Sequence, residues 1–501
     1  MTLQDWWIAR DPDLGGRGRE WFKAVPESAE AAPVPGIIQQ VFPNYHGVAW
    51  YWARFTLSAM SDTNERLLLR FGAVDYLAEV WVNGVAVGGH EGGETPFELD
   101  VTAAARAGEN LLAVRVLNPG NEPIDGLALG EIPHRNKSVP PKPGNSYNCG
   151  GIPLPVELVA APVVRMTALF PRPDWRGGAV PVTVTVRNDT AVAARGRLAA
   201  GIAPRHSGEL AHCIAVDGVF PPGFSTHELT LMVEAPRLWS PDDPFLYRLD
   251  VDLEAETCRH RQSVRAGFRD FRIEDGWFVL NGKRLFLKST HTTNHFPIGQ
   301  VVPPNPDLMC RDLIYAKACG YNCVRFIAGM AWPEQLDCCD EIGLMVYEEC
   351  LASWWAGAPP PPFGESTLQR FDLATREMIL RDRHHPSVTI WGLLNETPDG
   401  PLFRRAAAAL PWARELDPTR LILLSSGRWD RQPSIGSVSN PGGMAWEHVW
   451  GAEAPGAPEA AKDKTGGDTH VYPNVPATQA DNALIRDLGR DTKPVFLSEY
   501  G

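Results

Sequence analysis

The chain has 501 residues, 47 of them basic and 60 acidic, for a net charge of −13. That balance, with no basic cluster, excludes nucleic acid as a partner, because phosphate binding needs a positive surface. No run of about 18 apolar residues occurs, which excludes a membrane-spanning helix. The length suggests about three domains. Nine cysteines without CxxC pairs, two of them adjacent at Cys338 and Cys339, fit a reducing compartment. The segment Met1 to Trp7 lacks the charged-then-apolar pattern of a secretory leader. A cytoplasmic protein is the expectation. Seventeen tryptophans serve either as core fillers or as flat faces for sugar rings.

Along the chain, residues 1–160 read as an all-β sandwich. Leu67–Phe71 and Asn110–Val116 are strand-like, and Glu79–Val82 meets Val85–Val87 across Asn83-Gly84. Asn-Gly between apolar alternations is a strong hairpin signal, since both residues tolerate positive φ. Residues 161–271 read as a second, immunoglobulin-like sandwich, on the alternation of Val180–Val186 and Leu246–Leu253. From 272 to 501 strands alternate with helices, which predicts a parallel sheet closing into a (β/α)8-type barrel. The predicted strands are Leu285–Lys288, Asn322–Phe326, Met345–Glu348, Val388–Trp391, Arg420–Leu424, Thr469–Tyr472 and Val495–Leu497. Helices are predicted at Leu308–Cys319, Leu368–Asp382, Phe403–Leu416 and Thr478–Leu488. Seven strands are counted where a barrel of this type has eight, so the last strand and helix are expected beyond Gly501. Two long irregular segments, Pro359–Pro362 and Ser425–Asp468, leave the end of the barrel where active sites form.

Two carboxylates carry the chemistry. Glu396 ends the apolar run Trp391-Gly392-Leu393-Leu394-Asn395, and Glu499 ends Val495-Phe496-Leu497-Ser498. A glutamate at the carboxyl end of a buried parallel strand points into a barrel mouth. Two of them facing each other can perform acid/base-assisted displacement at a sugar carbon. Spacing alone leaves a solvated surface charge and a catalytic carboxylate both open. Asn395 offers an amide to a sugar hydroxyl, and Tyr472 a phenol that could hold a carboxylate ionised.

The motifs taken together resemble glycoside hydrolase family 2, which includes β-galactosidases, β-glucuronidases and β-mannosidases. They are Trp50-Tyr51-Trp52-Ala53-Arg54-Phe55, Ala73 to Gly84, His90-Glu91-Gly92-Gly93-Glu94-Thr95-Pro96-Phe97, Leu238-Trp239-Ser240-Pro241, Asp382 to Glu396, and Ser498-Glu499-Tyr500-Gly501. The resemblance implies a sugar-binding jelly roll, an immunoglobulin-like spacer and a catalytic barrel. It implies Glu396 as general acid/base and Glu499 as nucleophile of a retaining exo-β-glycosidase acting on an oligosaccharide or glycoside. It further implies site roles for Arg325, near the nucleophile, and for Tyr472; beside them Asn395 is a substrate-binding candidate by its amide, and His470, two residues before Tyr472 on the same strand face, is either a substrate contact or a structural histidine. A catalytically silent carbohydrate-binding protein, or an inactive fragment, is the rival reading. The family's Ser-His-Tyr-Pro after the strand-two arginine is replaced here by Phe326-Ile327-Ala328-Gly329-Met330-Ala331-Trp332-Pro333, which leans toward the mannosidase-like branch. His291 and His295 are four apart, but placed after strand one they read as loop or sugar contacts rather than metal ligands. No metal or cofactor is expected, and homo-oligomer formation is left open.

Overall fold

In a computed structural model of the chain, the described residues are 1–500 except 59–63, 135–136, 143–145, 257, 276, 297–298, 304, 350–363, 428–437, 447–466 and 488–494. The loop expected at Pro359–Pro362, most of the segment after Ser425, and Gly501 lie outside them.

The first sandwich packs two antiparallel sheets. A six-stranded sheet runs in the order Glu30–Ala32, Trp6–Arg10, Gly47–Leu57, Gly108–Asn118, Leu77–Val82, Val85–Glu91; a three-stranded sheet contains Val156–Pro162, Glu65–Phe71 and Phe97–Asp100. Period-two alternation sends Ala78, Val80 and Val82 inward. The predicted hairpin forms, with Asn83 at φ 52° and Gly84 at φ 81°. The second sandwich has sheets of three and four strands. Its strand Ala179–Asn188 buries Val180, Val182, Val184 and Val186 completely.

The third unit opens with a hairpin meander, Phe271–Glu274, Trp277–Leu280 and Lys283–Arg284, turned at Asn281-Gly282. Among the described residues seven barrel strands follow: β1 (Ser289–Thr292), β2 (Cys323–Phe326), β3 (Met345–Glu349), β4 (Val388–Asn395), β5 (Leu421–Ser426), β6 (Gly467–Val471) and β7 (Val495–Tyr500). The first five form one parallel ladder, and β6 pairs in parallel with β7. Inward side chains Cys323, Met345, Tyr347, Ile390, Leu421, Leu423 and Phe496 fill the barrel; Phe271, Phe278 and Leu280 of the meander floor it. Outward-facing Val324, Phe326, Val346 and Trp391 pack under the helices.

The helices are α1 (Asp307–Ala318), α2 (Pro333–Ile342), α3 (Glu365–Asp382), α4 (Pro401–Ala408), α5 (Leu410–Leu416) and α6 (Gln479–Asp487). Three sequence expectations are corrected. Strand one is not Leu285–Lys288 but the following four residues; Leu285 and Leu287 instead pack on the core while Phe286 is exposed. The single helix Phe403–Leu416 is two, divided at Ala409, with Pro411 suited to the first turn of the second. Helix α2 was not expected.

The units interlock. Trp239 of the Leu238-Trp239-Ser240-Pro241 motif is fully buried and donates its indole N–H to the Asp340 carbonyl at 2.9 Å. Arg269 donates to the carbonyls of Pro386, Val388 and Thr419 at 2.7–3.0 Å. The first sandwich reaches the barrel through Glu91 to Thr95. Glu91 accepts from Arg370 of α3 at 2.5 Å, Thr95 donates to Glu377, and the Glu94 carboxylate accepts the Met330 N–H, in the loop after β2, at 3.0 Å.

Candidate active site

The carboxyl ends of the strands bring six sequence-predicted residues together: Arg325 from β2, Asn395 and Glu396 from β4, His470 from β6, Tyr472 just beyond it, and Glu499 from β7. Glu396 sits one residue past its strand at φ 48°, a left-handed conformation uncommon for a residue with a Cβ. Its N–H donates to the Ser426 carbonyl at 2.7 Å, which fixes the turn against β5.

Glu396 and Glu499 are 4% and 8% exposed. His470 lies between them, with Nδ1 2.7 Å from Glu396 Oε1 and 3.6 Å from Glu499 Oε2. One ligand-type atom from each of the three lies within 4.8 Å of the others. The other ring nitrogen of His470 is 3.1 Å from Ser426 Oγ, which itself donates to Ser498 Oγ at 2.9 Å. The ring lies against Gly427, where a Cβ would come within 2.7 Å of it. That close approach requires a glycine.

Glu499 is held from two sides. Arg325 Nη1 donates to its Oε1 at 3.2 Å, and the Tyr472 hydroxyl donates to its Oε2. Partial burial, together with the carboxylate it donates to, pushes the Tyr472 phenol well above its usual range, so it stays a donor. Arg325 is buried and also bonds Asn395 Oδ1 at 2.7 Å. Asn395 Nδ2 and Glu396 Oε2 are among the buried side-chain atoms that have no hydrogen-bond partner in the described residues. A buried polar group is costly to leave unpaired, so both are placed to take a polar ligand.

His291 was expected in a loop after strand one. It lies within β1, in register with Arg325, and Arg325, Glu499 and His470 are among the charges acting on it. Burial lowers its pKa, with Arg325 adding to the effect. His295 is turned onto Thr293, away from any such cluster. A second group of ligand-type side chains, Asp337, Asp340 and His385, gathers where α2 meets the start of β4. Arg265 of the second sandwich pairs with it, 2.5 Å from Asp337 and 4.0 Å from Asp340. Glu349, fully buried at the end of β3 and bonded to Arg325, escaped the sequence reading. Its signal was available: Tyr347-Glu348-Glu349 closes an apolar run, as the two predicted glutamates do.

Three family models match the chain in order: the sugar binding domain of glycosyl hydrolases family 2 over residues 28–152, a glycosyl hydrolases family 2 domain over 164–269, and the TIM barrel domain of the same family over 271–501. Among curated proteins, a beta-galactosidase of Vibrio vulnificus is 27% identical over 400 residues, covering 77% of this chain and 36% of its own length. A putative beta-glucuronidase of Formosa agariphila is 28% identical over 402 residues, covering 76% and 35%. The chain thus spans about a third of the length of these relatives. Among solved structures, a family 2 member from Bacteroides cellulosilyticus superposes with TM-score 0.70 at 21% identity, over 84% of this chain and 56% of that one. A β-glucuronidase from Ruminococcus gnavus, in complex with a C6-substituted uronic isofagomine, gives 0.70 at 23% identity, over 84% and 71%. The three matches together leave only short stretches unmatched, and the chain belongs to glycoside hydrolase family 2.

Proposed function

We propose that this chain carries the catalytic centre of a retaining exo-β-glycosidase. One observation carries the reading: two buried glutamates from opposite barrel strands converge on one histidine, with an oxygen of each and the His470 Nδ1 within 4.8 Å of one another. Double displacement needs two carboxyl groups about 5–5.5 Å apart; inversion needs about 6.5–9.5 Å to admit a water.

In this reading Glu499 attacks the anomeric carbon while Glu396 gives its proton to the departing glycosidic oxygen. The glycosyl–carboxylate ester forms as the carbon–oxygen bond to the aglycone breaks. A water then loses its proton to Glu396 and displaces Glu499, which restores both groups. Glu396 Oε1 is engaged by His470, so Oε2 is the oxygen free to carry the proton. Arg325 and Tyr472 each donate to a different oxygen of Glu499, which fixes how the carboxylate is turned. Asn395 keeps Nδ2 available for a sugar hydroxyl. A panel of aryl β-glycosides identifies the sugar. The matching 2-fluoro glycoside, followed by peptide mass spectrometry, is expected to label Glu499. Label on any other residue, or turnover with inverted configuration, rejects the mechanism.

A further inference from the structure

A guanidinium has five N–H donors in a fixed plane, and Arg325 turns different edges of that plane to different partners. The Nη1 corner donates to the Ser498 carbonyl and to Glu499 Oε1, both at 3.2 Å. The opposite edge closes on Glu349, with Nε 2.7 Å from Oε1 and Nη2 donating to the same oxygen. The plane lies 5.0 Å from the Tyr347 ring centroid. Glu349 is fully buried, and its second oxygen accepts the Ala328 N–H at 3.1 Å. One carboxylate at the end of β3 therefore fixes both the arginine of β2 and the loop after it.

We propose that Glu349 is a positioning residue, holding Arg325 so that a single N–H reaches Glu499. The proposal rests on the reading of Glu499 as nucleophile. A guanidinium fork matches a carboxylate edge to edge. A buried Arg325 facing Glu499 alone would rotate to close that two-bond pair. The second guanidinium N–H would then compete with the Tyr472 hydroxyl for Oε2 and turn the carboxylate from its present orientation. With Glu349 occupying the Nε edge, the guanidinium charge is divided between two carboxylates. Glu499 keeps a separate donor on each of its two oxygens.

The test uses the full-length protein with Glu349→Gln and Glu349→Asp. Rates are measured on the best aryl β-glycoside of the panel and normalised to sites titrated with the 2-fluoro glycoside. In E349Q, kcat per titrated site is expected to fall about 100-fold, the scale of a 1 Å misplacement, with KM within about threefold of wild type. Its pH profile should differ from that of the wild type, because the guanidinium charge is no longer divided between two carboxylates. E349D, which keeps the charge, should recover part of the rate. A purely structural role predicts fewer titratable sites, each with wild-type kcat and pH profile; that result overturns the proposal. A crystal structure of E349Q provides a readout independent of activity. Arg325 closing a two-bond pair with Glu499 supports the proposal even if the wild-type protein hydrolyses none of the glycosides, in which case only the functional reading fails. An unmoved Arg325 overturns it.

Discussion

The contacts of the two glutamates assign them different work. Glu396 is tied at one oxygen to His470, while Glu499 takes single donors at both oxygens, from Arg325 and Tyr472. On the proposed mechanism, replacing Glu396 by Ala removes the proton donor and leaves the attack intact. Turnover of substrates with poor leaving groups is expected to drop about 10²–10⁴-fold, and of dinitrophenyl glycosides much less. Azide should restore the latter as a β-glycosyl azide; equal losses without rescue would rule Glu396 out as the acid. For Tyr472 the sign of the pH effect follows from its environment. Burial and Glu499 both disfavour the phenolate, so the phenol remains protonated through and beyond the range where an ordinary tyrosine titrates. Tyr472→Phe should lower kcat about tenfold, in keeping with one lost hydrogen bond, and leave the alkaline limb of the pH profile where it is. An alkaline limb displaced in the variant would mean that Tyr472 titrates in the wild type.

Helix α2 ends at Gly343, which sits at φ 73° and accepts no Cβ, since one would lie 2.4 Å from the Pro241 carbonyl. Gly343→Ala combines left-handed strain with a clash against backbone and should cost about 2–3 kcal/mol in urea unfolding. Elements of this kind mark where sequence reading succeeds and fails. Alternating valines and Asn-Gly turns revealed both sandwiches, because one buried face imposes period two. The parallel strands were visible as short apolar runs. The first was displaced by four residues: Leu285-Phe286-Leu287 is as apolar as a strand but joins no ladder, whereas Ser289–Thr292 is polar and pairs with β2. α2 was hidden because Pro333-Glu334-Gln335 reads as a turn, although proline suits the first turn of a helix. In the site, motif residues were legible; Glu349 carried the same strand-end signal but no motif, and its importance lies in a contact with Arg325 across neighbouring strands.

At the scale of the whole molecule, the second sandwich is joined to the barrel through its core. Trp239 shares a cluster with Tyr347, Ile390 and Leu423 of the barrel interior, and its carbonyl accepts from Asn281 of the meander at 3.0 Å. Trp239→Ala should cost about 3–5 kcal/mol, the range for emptying a large aromatic site. Because the lost contacts are the apolar ones among those that couple the two units, calorimetry is expected to show the melting transition splitting in two. A single transition at the wild-type temperature would mean the units are coupled elsewhere.

The Glu91–Thr95 segment has a consequence for how such a molecule can change over generations. It pins the loop after β2 through a carboxylate that belongs to another domain. That loop is the stretch where this chain departs from the Ser-His-Tyr-Pro version of the motif. A gene for this architecture therefore holds two separate dials for one pocket wall. Substitutions in a surface-lying sandwich can reshape the wall while the reacting carboxylates keep their geometry. On the proposed function, drift in sugar preference should accordingly accumulate in the first hundred codons as readily as in those for the barrel.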